Sequence, residues 1–154
     1  MSKYIRMKKL SSTLSFLLAS LALVLGITGC NFTAATDAEF TQAAQQRDCR
    51  VSASTFQKQW TATYRDCTFE FLTFDSSDTA NDKFDELVVI GKKIKSQAAS
   101  TNNKQVNVPW QHHYMVKTAT QFFYLTQIGS TVFYANTHRR CEEKVTEVAE
   151  ILKY

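Results

Sequence analysis

From Leu10 to Gly26 the chain is dominated by Leu, Ala, Val and Phe, most densely over Phe16–Leu25, and no later apolar stretch approaches that length. Beyond residue 35 the apolar positions become periodic. Thr36 and Glu39 stand three apart ahead of Phe40, Ala43 and Ala44, which predicts a capping box opening a short amphipathic helix that ends near Arg47. Cys49–Ala53 reads as a short strand. Trp60–Phe74, dense in Thr, Tyr, Phe and Leu, reads as the clearest strand of the chain. Within it Cys67, Phe69 and Phe71 fall on one face, Leu72 and Phe74 on the other, so a bulge or burial on both faces is expected near its end.

Ser76–Asp78 offers helix-capping chemistry, and Ala80, Phe84, Leu87, Ile90 and Ile94 then recur at helical spacing. A helix over about 77–95 follows, with Asp78, Asp82 and Asp85 early and Lys92, Lys93 and Lys95 late, as the helix dipole favours. Ala98–Gln105 is polar and unpatterned and reads as a mobile loop. Three short strands follow, over about 112–118, 121–127 and 130–136, with Gly129-Ser130 turning between the last two. Thr137 can cap a closing helix whose Cys141, Val145, Val148, Ala149 and Leu152 share one side. The order helix, strands, helix, strands, helix predicts an α+β fold: a mainly antiparallel sheet of four or five strands packed against helices in a two-layer sandwich. About 125 residues suffice for one core.

Charge divides the chain more sharply than its total of +4 suggests. Four of the 18 basic residues (Lys3, Arg6, Lys8 and Lys9) lie within the first 29 positions, where there is no acid. The remainder balances 14 basic against 14 acidic residues. A formally neutral body argues against a nucleic-acid partner, because neutralising phosphates needs a net basic surface or stripe.

A basic start, an apolar stretch and small residues ahead of a cysteine form a secretory signal. The apolar stretch, roughly 17 residues long, is marginal for crossing a ~30 Å hydrocarbon core; an uncleaved anchor is the alternative. Ile27-Thr28-Gly29-Cys30 resembles the lipobox of bacterial lipoproteins, with Ile27 where Leu is more usual. The resemblance implies diacylglyceryl transfer to the Cys30 sulphur and cleavage after Gly29. Two acyl chains hold a protein at a bilayer where one does not. The chain thus divides into a signal peptide (1–29), a lipidated N-terminus with a short tether (30–35) and one α+β domain (36–154). A tether of about five residues reaches only ~12 Å as a coil, so the folded part is expected close to the membrane, on its extracytoplasmic side.

The segments Cys67–Asp75, the helix carrying Ala80 and Phe84, Phe123–Ala135 and the closing Ile151–Tyr154 resemble small surface lipoproteins of Gram-positive bacteria. The likeness spans most of residues 36–154 and lies in pattern rather than in a diagnostic motif. It implies a single αβ domain behind a lipobox and carries no functional residues across.

With Cys30 assigned to lipid, Cys49, Cys67 and Cys141 remain. An oxidising compartment favours one disulfide among them and leaves one thiol over, with the partners open. The spacings resemble no zinc framework, and no metal or cofactor is expected. His112 and His113 would point to opposite faces of a strand. His138 and Cys141 stand three apart, but read as a surface His and a buried Cys rather than a nucleophilic pair. Trp60, Tyr64, Trp110, Tyr114, Phe122, Tyr124 and Tyr134 cannot all be interior on alternating strands. Trp60, Tyr64, Trp110, Tyr114, Tyr124 and Tyr134 are therefore candidates for an exposed interaction surface, unless the 98–111 stretch covers a second sheet face. The leading expectation is a non-enzymatic lipoprotein, moored through acylated Cys30, that contacts an envelope protein or glycan through a sheet surface. A phage- or plasmid-encoded exclusion lipoprotein is the alternative, with a small surface hydrolase or thiol protein behind it.

Overall fold

The computed structural model describes residues 33–154; Cys30, the leader and the first part of the tether lie outside the described residues. Helix α1 (Asp37–Gln46) leads into β1 (Arg50–Ser54), a 3-10 turn (Thr55–Gln57), β2 (Gln59–Tyr64) and β3 (Cys67–Thr73). The long α2 (Ser77–Gln97) crosses to β4 (Asn102–Val108), followed by β5 (Gln111–Lys117), β6 (Gln121–Ile128) and β7 (Thr131–His138). A 3-10 turn (Arg139–Cys141) and α3 (Glu142–Leu152) close the chain. All seven strands form one antiparallel sheet in the order β1-β2-β3-β7-β6-β5-β4.

This corrects the expected four- or five-stranded, two-layer sandwich in two respects. Two strands escaped the reading. The Trp60–Phe74 stretch is not one strand but β2 and β3, reversed at Arg65-Asp66 with Arg65 at φ +54°; neither turn residue is the Gly or Asn that usually announces a left-handed position. The supposed loop after residue 98 contains β4, which pairs with β5 at the sheet edge. An edge strand with mostly exposed side chains carries no apolar alternation to reveal it.

The second correction is that helices cover both faces, giving three layers. Phe69, Phe71, Phe133 and Tyr124 pack with Phe40, Ala43, Ala44, Val145, Val148 and Leu152 beneath α1 and α3. On the other face Tyr114, Val116, Phe123, Leu125 and Val132 pack with Ala80, Phe84, Leu87, Val88 and Ile94 of α2. Alternation along the central strands therefore buries both sides, and β6 is buried nearly throughout.

The helix ends follow local chemistry. Thr36 Oγ1 accepts from the Glu39 amide while Glu39 Oε2 accepts from the Thr36 amide, at 3.2 and 2.7 Å, forming the reciprocal box. Ser76 caps α2 by accepting from Thr79 N at 3.2 Å. Thr137 does not cap the last helix: His138 Nδ1 accepts from Arg140 N, and the 3-10 turn intervenes before α3. Along α2 the buried line passes through Gly91 rather than Ile90, which is 37% exposed. A Cβ at Gly91 would stand 2.6 Å from Tyr114 Cε1; the missing side chain lets the helix lie close upon the sheet.

Candidate functional site: the open half of the sheet

The helices are staggered. On its face α2 lies chiefly over β5, β6 and β7, meets β3 at Leu72, and leaves β1, β2 and much of β3 without substantial helix contact. Cross-strand partners share a face, so the registers identify what those strands present there. Leu72, packed in the α2 cluster, pairs with Gln59, and Gln59 pairs with Ser54. One step along, Tyr134, Glu70, Thr61 and Ser52 form a row; beyond it come Thr68, Thr63 and Arg50. The same strands send Val51, Trp60, Ala62, Tyr64, Phe69 and Phe71 to the opposite face, under α1. Period-two alternation in β1–β3 thus separates an aromatic core side from an open side of hydroxyls, an amide, a carboxylate and the Arg50 guanidinium.

A hollow of about 240 Å³ breaks this open face, lined by Thr68, Phe69, Glu70, Tyr134, Ala135 and Asn136. It forms where the β3–β7 ladder stops: Glu70 pairs with Tyr134, whereas Cys67–Phe69 have no partner on β7. Glu70 is half-buried. Desolvation raises its carboxyl above the ordinary carboxylate value, against the opposing effects of a Gln59 hydrogen bond and the Lys83 ammonium. Desolvation also raises the Tyr134 phenol, opposed by a hydrogen bond with Asn136 and reinforced by the Glu70 charge. The site therefore offers a carboxylate, a phenol and an amide beside a bank of threonines.

The six aromatics expected to form an interaction surface are not brought together. Trp60 and Tyr64 lie against the α1–α3 core, Tyr114 is buried beneath α2, and Tyr124 is buried on the opposite face. Trp110 is exposed at the β4–β5 turn. Tyr134, half-buried at the edge of the α2 cluster, borders the hollow. Glu70, Thr61, Thr63 and Asn136 went unnoticed because a polar residue on an alternating strand looks like ordinary solvent-facing surface until the helix positions are known.

Among the cysteines, Cys67 is bonded to Cys141, with Cα atoms 5.5 Å apart, and Cys49 is a buried free thiol. Asp66 lies beside the disulfide, but bonded sulphurs have no thiolate with which to hold a metal or attack a substrate. His112 and His113 do diverge: His112 meets the Phe84 ring of α2 edge-on at 5.5 Å. His113 is buried rather than at the surface, its Nδ1 2.7 Å from Thr126 Oγ1. Desolvation, with a smaller contribution from Lys104, holds its pKa down to about 4. A buried polar chain anchors the end of α3: Tyr124 Oη donates to the Tyr154 main-chain oxygen at 2.9 Å, and Tyr154 Oη meets Thr131 Oγ1 and accepts from Ala35 N.

Comparison with protein-family models, with curated proteins and with solved structures finds no match for this chain. Geometry alone therefore defines its class: a three-layer domain on a seven-stranded antiparallel sheet, with one half-face left open and polar.

Proposed function

We propose that the protein is a lipid-anchored, non-enzymatic domain of the cell envelope that binds an envelope glycan on the open face of β1–β3, with the hollow at Glu70, Tyr134 and Asn136 as its centre. The single observation carrying this reading is that, beyond the row ending in Leu72, the uncovered half-face is polar: Glu70, Thr61 and Ser52 in one row, Thr68, Thr63 and Arg50 in the next. A protein contact would favour an apolar, aromatic centre. A bank of Thr hydroxyls, a carboxylate and amides around one half-exposed phenol instead matches the many hydroxyls and amides of a sugar chain. The Cys67–Cys141 bond supports an extracytoplasmic location, since disulfides persist in oxidising compartments. The lipobox-like Ile27–Cys30 supports anchoring through acylated Cys30, and the neutral body argues against nucleic acid.

Titration of the full chain in nanodiscs with soluble peptidoglycan fragments, followed by NMR, tests the site. Shifts confined to β1–β3 and to Tyr134–Asn136, lost in Asn136→Ala, are expected. Shifts elsewhere, or none with any envelope glycan, overturn the assignment.

A further inference from the structure

Five large apolar side chains stand exposed among the described residues, and the two aromatic ones, Phe56 and Trp110, occupy turns. Phe56, 98% exposed, lies in the 3-10 turn between β1 and β2. Trp110, 53% exposed, lies in the two-residue turn between β4 and β5. These hairpins sit at opposite edges of the sheet, yet the registers place both tips at the same end. Ser54 pairs with Gln59 and Gln59 with Leu72; Thr73 pairs with Thr131; Ile128 pairs with Gln111 and Gln111 with Val108. Between them, at the same end, is the β6–β7 turn at Gly129-Ser130.

The chain enters the domain at that end. The Ala34 methyl lies 3.4 Å from where a Cβ on Gly129 would stand, and Ala35 N donates to Tyr154 Oη at 3.3 Å. Three peptide units separate Thr33 from Cys30, a span of at most ~11 Å. Lipid chains on Cys30 would therefore hold this end of the sheet, and not the other, against the bilayer. The turns there carry the ion pair of Lys58 with Asp75, and the start of α1 and the end of α3 add Asp37, Glu39 and Lys153 at the same end. The opposite end carries Arg65, Asp66, Arg139 and Arg140.

We infer that Phe56 and Trp110 are a pair of membrane-interface anchors flanking the lipidated N-terminus, which stand the strands on end against the bilayer and leave the open β1–β3 face directed sideways. The sheet's twist swings the two outer hairpins to opposite sides of that end, so three supports rather than one define the orientation. Trp belongs at the depth of the headgroups, its ring apolar and its N–H still able to find a partner. Burying such a side chain is worth about 1.5–3 kcal/mol, roughly tenfold or more in residence on the membrane for each aromatic. This inference rests on the proposed acylation of Cys30.

The test uses the full acylated chain in lipid vesicles, with Trp60→Phe leaving Trp110 as the single indole. Mass spectrometry first establishes the acyl groups on Cys30. Trp110 emission is expected to shift to the blue and to be quenched by lipids spin-labelled near the headgroup. A single indole placed at the opposite end by Ala119→Trp, with Trp60→Phe and Trp110→Phe, is expected to stay unquenched. Phe56→Ser with Trp110→Ser is expected to speed transfer between vesicles at least tenfold; both sites are exposed, so the fold is retained. An acylated protein whose Trp110 remains in water, or whose indole at 119 is the one quenched, overturns the orientation while leaving the anchor intact. A native protein without acyl groups on Cys30 overturns both.

Discussion

The sulphur of Cys67, at the start of β3, is bonded to that of Cys141, at the entrance to α3, across 74 residues of sequence. It sits where β3 has already left β7, so it ties together the end of the sheet that ladder hydrogen bonds do not hold. The Arg140–Asp66 ion pair bridges the same two segments.

Closing a loop of that length removes about 4 kcal/mol of chain entropy from the unfolded state. Cys141→Ser, or reduction of the native protein, is expected to lower the unfolding free energy by roughly that amount in urea titrations. Non-reducing peptide mapping is expected to find the 67–141 bridge, with Cys49 alkylated only after unfolding because it is buried and desolvation raises its pKa.

His113 makes stability depend on pH. Its pKa is about 4 in the folded chain, against about 6.5 unfolded, so between these values the unfolded state binds more protons. Stability is therefore full above about pH 6.5 and lost as pH falls towards 4, by about 3 kcal/mol. In His113→Gln that part of the slope is expected to disappear from denaturation curves, and the wild-type imidazole signal is expected to titrate near pH 4.

At Gly91 helix propensity and packing oppose each other. Alanine there gains about 1 kcal/mol of helix propensity. Its methyl, however, would stand within 2.6–2.8 Å of the Tyr114 and Phe123 rings, themselves buried, and overpacking of this kind costs typically 1–3 kcal/mol. Gly91→Ala is expected to lower the melting temperature by several degrees, whereas Val89→Ala, at an exposed position of the same helix, leaves it nearly unchanged.

Glu70 separates binding from stability. Its carboxyl titrates above the ordinary value because it is half-buried, so ionisation weakens the fold as pH rises through that pKa. Glu70→Gln is expected to be as stable as wild type at pH 4 and at least as stable at pH 7, while glycan binding falls about tenfold with the loss of a charge-assisted hydrogen bond.

Much of the architecture was legible because it is written in local chemistry. The Thr36–Glu39 box, the stripe from Val145 to Leu152 and the alternation in β5–β7 each depend on neighbours within a few residues. The opposite facing of Phe69 and Phe71 against Leu72 and Phe74 was legible too, and it resolved as burial on both faces. What local pattern could not reveal was β4, whose only commitment is its ladder with β5, and the Arg65-Asp66 reversal, whose left-handed residue is an arginine rather than Gly or Asn.

The sequence by itself determined which positions are apolar, with what period, and hence that strands and helices alternate with three cysteines among them. Only the tertiary structure decided that Cys67 pairs with Cys141, that helices cover both faces, and that α2 leaves most of β1–β3 uncovered. The physical reason is that periodicity specifies which side of an element must leave water, but not which other element covers it. An open polar face exists only where no partner arrives, and that is a property of the whole arrangement rather than of any segment.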